Sequence, residues 1–190
     1  MTSNRHNRTA DDTVLDAARD CVLAVGVRRT TLTDVARRAG VSRMTLYRRW
    51  PDVRTLVGDL MTREWVAVAR DAAAAHGGDL AETLVKGVEA FRAHPLFRKI
   101  VEVDPELLLP YMLDRRGASQ EALLEVIAGG LRDGHAAGTV RPGPVDRQAR
   151  ALLLVVQSFA LSLQTMTDDD HPEHDFYGEL RHILDRTLRP

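Results

Sequence analysis

Residues Thr31 to Trp50 constrain the chain more than any other stretch, because they make two short helices meet at a tight turn. Thr31, followed by Leu32, Thr33 and Asp34, has the spacing of a capping box. The threonine oxygen takes a free backbone N–H and the acid favours the positive end of a helix. That helix can run only to Ala39, because Gly40 and Val41 precede Ser42, a good cap for a further helix through Arg49. Ala36 is small where the helices must cross, and Gly40 tolerates the positive φ such turns require. Val35, Ala39, Val41 and Leu46 supply the apolar contacts that lock the pair. The pattern predicts a helix-turn-helix.

The flanking sequence is helical as well. Val14, Leu15, Ala18, Cys21, Val22 and Val25 recur at three-and-four spacing, which predicts a helix over Thr13–Val25 ended by Gly26. Pro51 disfavours helical geometry at Trp50, and Asp52 can cap a fourth helix from Val53 to Ala75. Further helices are expected over Leu80–Ala93, Pro95–Val103, Pro105–Leu113, Ser119–Ala137, Val145–Met166 and Phe176–Leu188, separated by proline, glycine and acidic breakers. No stretch has the alternation of a strand. The expected fold is all-α: a flexible arm over 1–11, a three-helix head with the helix-turn-helix over 12–55, and a larger body of six helices over 56–190.

Charge is unevenly placed. Through Thr55 there are eleven arginines and no lysine against six aspartates, a surplus of five, which leaves the other 135 residues with a deficit of six. A basic head can neutralise phosphates while an acidic body stays off a polyanion. With 44% hydrophobic residues the chain can bury a real core, and disorder is not expected. The single cysteine, Cys21, excludes an intramolecular disulfide and sits among apolar neighbours as a packing residue. Met1 to Asp12 is polar, and no segment approaches about 18 uninterrupted apolar residues, so a soluble cytoplasmic protein is expected.

Once the two helices pack, the second presents its outer face to the major groove of DNA. Arg43 and Arg48 can grip guanine O6 and N7 in a forked geometry, and Met44 or the methyl of Thr45 can meet a thymine methyl. Tyr47, Thr31 and Thr33 carry hydroxyls suited to phosphates, whereas Leu46 and Trp50 are expected to pack beneath the motif.

The run T-L-T-D-V-A-R-R-A-G-V-S-R-M-T-L-Y-R-R-W-P-D resembles the signature of the TetR/AcrR repressors over residues 10 to 60. The resemblance implies an all-α dimer with a three-helix head and a ligand-binding body, in which a small molecule usually releases DNA. It also implies that the last two long helices of each subunit form a four-helix interface. Two positions depart from the family pattern. Met44 stands where glycine or alanine is common, and either reads a thymine methyl or holds the helix farther from the groove. Val53 and Arg54 stand where a phosphate-binding lysine is frequent, which makes Arg54 the candidate for that contact.

In the body, Val145–Met166 is apolar on more than one face and must be central to a core or shared with a partner. Leu152, Val156, Phe159, Ala160 and Leu163, with Leu180, Ile183 and Leu184 of the terminal helix, are the candidate dimer residues. A homodimer reading a pseudo-palindromic operator of double-stranded DNA is expected, against a monomer whose last helices simply close the core. Trp65, Phe91, Phe97 and Val101 are candidates for an inducer pocket. Tyr111, Met112, Gln157 and Leu161 complete that set, and the amide of Gln157 needs a partner if buried.

The acidic run holding His171 and His174 is expected to be a solvated connector, and His94 and His135 to be cap or surface groups. No cofactor or metal is expected. No nucleophile elbow, phosphate loop, dinucleotide fingerprint or zinc-protease motif occurs. Two other readings stand beside the ligand-released repressor: a DNA-binding regulator without an inducer, and a small helical enzyme built on scattered carboxylates. Operator binding that no small molecule relieves marks the first, and turnover of a substrate the second.

Overall fold

The computed structural model describes residues 10–109 and 116–190, and the described residues form nine α-helices with no strand. They are α1 (Ala10–Val25), α2 (Leu32–Ala39), α3 (Arg43–Arg49), α4 (Val53–His76), α5 (Leu80–Ala93), α6 (Pro95–Val103), α7 (Ala118–Ala137), α8 (Val145–Ser162) and α9 (Glu173–Leu188). The chain divides into two compact units. One holds the residues up to Met61 together with the segment that begins at Pro95, and the other holds Thr62–His94 and Arg116–Pro190. Among the described residues no helix is long and apolar enough to cross a membrane.

Within the first unit, Val14, Ala18 and Val22 of α1 are buried with Val35 and Ala36 of α2 and with Leu46 of α3. Burial raises the thiol of Cys21, on the same inner face of α1, above its ordinary value. α6 packs on α1 and places Asp104 beside the turn that leaves α1. The Asp104 side chain is fully buried, and its Oδ2 accepts the Val27 N–H at 2.7 Å. Its Oδ1 has no hydrogen-bond donor, and Arg28 Nε lies 3.7 Å away. Gly26 makes the approach possible. Its φ is +83°, and a Cβ there would meet Asp104 Oδ2 at 2.8 Å and Val103 Cγ1 at 2.9 Å.

The second unit is a helical core. Leu84, Val85 and Val88 of α5 meet Leu124, Ile127 and Leu131 of α7, Leu152 and Leu153 of α8, and Leu180 and Leu184 of α9. Two charged clasps sit at its edges. Arg181 of α9 reaches Asp79 and Glu82 at 2.6 Å each and Asp185 at 3.0 Å. Arg92 of α5 donates to the Ala160 carbonyl at 2.9 Å and pairs with Glu173, which also accepts the Tyr177 hydroxyl.

Several expected helix boundaries change. α1 begins at Ala10 instead of Thr13, so Ala10 and Asp11 belong to the helix and not to the expected arm, and Asp11 and Asp12 give its first turn the negative charge that favours a helix start. The helix expected over Pro105–Leu113 begins as a single 3-10 turn, Pro105–Leu107, and Tyr111 to Leu113 lie outside the described residues. The helix expected to reach Met166 ends at Ser162 and tightens into a 3-10 turn over Leu163–Thr165, where the Thr165 hydroxyl donates back to the Ser162 carbonyl at 2.7 Å. The last helix starts three residues before the expected Phe176. Pro172 precedes it, and Glu173 and Asp175 occupy its first turn, where negative charge favours the helix end.

Two stability predictions follow from the turn after α1. Asp104→Ala leaves the buried Val27 N–H without its acceptor and is expected to lower the unfolding free energy by about 1–3 kcal/mol in urea titration. Gly26→Ala is expected to cost more than Gly40→Ala. Both positions have positive φ, but a Cβ at Gly40 meets nothing within 4 Å. Equal losses in the two variants count against steric closure at Gly26.

Candidate nucleic-acid interface

The motif is built as its caps require. The Thr31 hydroxyl oxygen accepts the Asp34 N–H at 3.1 Å, and the same hydroxyl donates to Asp34 Oδ2 at 2.6 Å. Gly40 ends α2 with φ 68° and ψ 25°, and the Val41 N–H reaches back to the Ala36 carbonyl at 3.0 Å. Ser42 then caps α3: its Oγ accepts the Thr45 N–H at 3.1 Å and lies 2.8 Å from the Thr45 hydroxyl. Asp52 caps α4 through the Thr55 N–H at 2.7 Å. The Thr55 N–H and hydroxyl, with nearby Arg54, hold the Asp52 carboxyl below its ordinary range.

The inner face of α3 is anchored by Leu46, 1% exposed, and the chain beyond it by Trp50, 2% exposed. Trp50 Nε1 donates to Asp59 at 2.8 Å, and the Arg49 guanidinium lies over the indole ring. With Leu46 facing inward, helical periodicity turns Met44, Tyr47 and Arg48 away from it; these three are exposed, and so is Arg43, which opens the helix three residues before Leu46. A cleft of about 250 Å³ runs between α1 and α3, floored by Val14, Val41 and Leu46 and edged by Thr45 and Arg48.

The arginines of this unit separate into two groups. Arg28 pairs with Glu106 at 2.6 Å, Arg37 with Asp34 at 2.7 Å, Arg38 with Asp20 at 3.1 Å and Arg49 with Asp11 at 3.3 Å, while Arg29 donates to the Val25 carbonyl at 2.8 Å. Arg43 and Arg48 form no hydrogen bond or ion pair with any described residue. Arg54 is exposed at the start of α4, Thr31 is exposed at the cap of α2, and Thr33 is half-buried in its first turn. Arg43, Met44, Thr45, Tyr47 and Arg48 thus share α3, and Thr31, Thr33 and Arg54 stand at the N-terminal ends of α2 and α4.

The other expected residues are more dispersed. Trp65 and Phe91 meet edge to face with ring centroids 4.6 Å apart. His94 is a cap as expected, its N–H reaching the Phe91 carbonyl at 3.1 Å at the end of α5, and its ring also lies 5.3 Å from Trp65, a packing the sequence did not reveal. Gln157 finds its partner in Gln120, whose Nε2 donates to Gln157 Oε1 at 2.7 Å. Leu161 is half-buried on α8, whereas Phe97 and Val101 belong to α6 in the first unit. Tyr111 and Met112 lie outside the described residues.

Of the dimer candidates, Leu152, Ala160, Leu180 and Leu184 are buried in the core of their own chain, and Leu163 is buried at the end of α8. Val156 and Phe159 are half-buried, and Ile183 is 41% exposed. Leu154, absent from the expected set, is 71% exposed on the side of α8 opposite its buried stripe, between Ala151 and Ser158.

Residues 14–60 match the family model described as bacterial regulatory proteins, tetR family. The chain is 40% identical over 149 residues to the uncharacterized HTH-type transcriptional regulator Mb2274c of Mycobacterium bovis, an alignment that spans 76% of this chain and 77% of that protein. Among solved structures it shares its fold with the TetR-family transcriptional repressor QsdR of R. erythropolis (TM-score 0.73, 17% identity, 95% of this chain and 96% of that one). It likewise resembles the TetR-family repressor AlkX of Dietzia sp. (TM-score 0.66, 23% identity, 96% of this chain and 98% of that one). With a capped helix-turn-helix at the matched residues and a relative alike over three quarters of both chains, this protein belongs to the TetR family of bacterial transcriptional regulators.

Proposed function

We propose that the chain is a homodimeric repressor whose two heads read a pseudo-palindromic operator through Arg43 and Arg48, and that a small molecule held in the body releases it. The observation that carries the reading is the split among the head arginines. Arg28, Arg37, Arg38 and Arg49 are bound to acids of their own chain, whereas Arg43 and Arg48 are exposed on α3 and spend no donor on any described residue. A guanidinium with no internal partner at the outer face of such a helix suits the O6 and N7 of guanine. Met44 and Thr45 lie beside them, and Thr31, Thr33, Tyr47 and Arg54 are placed to hold phosphates and set register.

Dimerisation gives the two reading helices their spacing on symmetric half-sites. Because Leu152, Leu180 and Leu184 already serve the core, and Val156 and Phe159 pack against it, the partner surface falls to Leu154 on α8 and to Ile183 on α9. The inducer reading rests on the aromatic cluster of buried Trp65 with Phe91 and His94, whose ring faces Glu64 at 3.3 Å.

Arg43→Ala and Arg48→Ala are each expected to weaken specific binding by about 1–3 kcal/mol without altering thermal unfolding, whereas Arg37→Ala leaves the ratio of specific to random binding unchanged. Titration of fluorescent operator against random duplex measures this. Equal losses in all three variants refute base reading by Arg43 and Arg48.

Leu154→Glu is expected to halve the sedimenting mass toward that of one 21.1 kDa chain while the protein stays folded, and Leu152→Glu to unfold it. A Leu154→Glu protein that still sediments as a dimer moves the interface elsewhere. For the inducer, Trp50→Phe leaves Trp65 as the sole tryptophan. Its emission is expected to change at the same compound concentrations that release the operator, and release without that change counts against the cluster.

A further inference from the structure

Met44 is the most exposed large apolar side chain among the described residues, at 79%, and it stands second in α3, directly after Arg43, at the N-terminal end that lies nearest the base edges when such a helix docks. Nothing inside the head uses it. The inner face of α3 is filled by Leu46, and the Ser42 and Thr45 hydroxyls are shared with each other at 2.8 Å. A thioether offers no useful donor to phosphate or to a base nitrogen or oxygen, so polar recognition gives this residue no role. The neighbouring Arg43 and Arg48 also make the surface around it positive, which suits a polyanion and disfavours a second apolar protein face. In the major groove the one apolar group is the methyl at C5 of a pyrimidine.

We propose that Met44 reads a pyrimidine C5 methyl, so that each half-site demands a thymine at one step and accepts 5-methylcytosine, but not cytosine, in the same register. The inference rests on base reading by α3, as argued above, and adds the group that this helix senses. A variant half-site with cytosine at that step is then bound better when the cytosine is methylated than when it is bare. Methionine suits the contact because its unbranched side chain adjusts to the methyl without requiring one rotamer.

The test uses the full chain. Duplexes selected from a random pool define the operator. Single thymines in it are then replaced by uracil, and the same positions by cytosine or 5-methylcytosine. At one thymine per half-site, loss of the methyl is expected to weaken wild-type binding about fourfold, the size of one buried methyl group. The 5-methylcytosine duplex binds more tightly than its cytosine counterpart. Met44→Ala is expected to bind thymine and uracil duplexes alike with unchanged thermal unfolding, and Met44→Leu to restore the discrimination. If no thymine-to-uracil change separates wild type from Met44→Ala, the inference is overturned while Arg43 and Arg48 remain readers. If the chain selects no sequence at all, base reading by α3 falls and the methyl contact falls with it.

Discussion

The crossing of α2 over α3 sets what the rest of the head can do. Ala36 is 1% exposed and Leu46 1% exposed at that crossing, and the turn between the helices closes through a left-handed Gly40. A small residue at position 36 lets the helices approach, and the glycine lets the chain reverse without steric cost. With Leu46 pinned, the 3.6-residue repeat fixes which side chains face away from the core, Met44, Tyr47 and Arg48 among them, while Arg43 is exposed because it opens the helix. Trp50 then stops the helix from rolling, because its indole N–H is tied to Asp59.

Net charge alone overstates the cationic surface available to DNA. The head carries a surplus of five through Thr55, yet Arg28, Arg37, Arg38 and Arg49 face carboxylates within 3.3 Å. Exposed pairs of this kind contribute only about 0–1 kcal/mol to stability. Their larger effect is to hold guanidinium groups where they orient one helix against another, as Arg49 does between α1 and α4 through Asp11 and Asp59. Among the described residues, no acid competes for Arg43 and Arg48 on α3.

Much of this was legible in the sequence. Caps and breakers located α2 and α3, and the end of α5 and both limits of α6 follow from His94-Pro95 and Asp104-Pro105. The start of α9 was not, because an acidic run was read as a connector although acids also favour a helix N-terminus, and Glu173 is held there by Arg92. Periodicity also could not say whose core an apolar stripe joins. Leu152, Ala160, Leu180 and Leu184 have the spacing of a buried face, and that face is satisfied within one chain. Leu154 follows Leu152 and Leu153 directly and looks the same in a list of apolar residues. Only its angle on the helix separates it from them.

Asp104 was invisible for a different reason. Its partners are Gly26 and Val27, far away in sequence, and no local pattern marks an aspartate before a proline as the acceptor for a distant backbone N–H. Burying a carboxylate with one oxygen undonated is unfavourable unless geometry and a nearby cation compensate. Here the Val27 N–H binds Oδ2, Arg28 stands 3.7 Å from Oδ1, and Gly26 removes the one Cβ that would block the approach. The same three residues shape the turn that delivers the chain from α1 to the cap of α2. The entry to the helix-turn-helix is therefore held from α6, and the orientation of Thr31 at the start of the motif depends on a carboxylate that lies outside it.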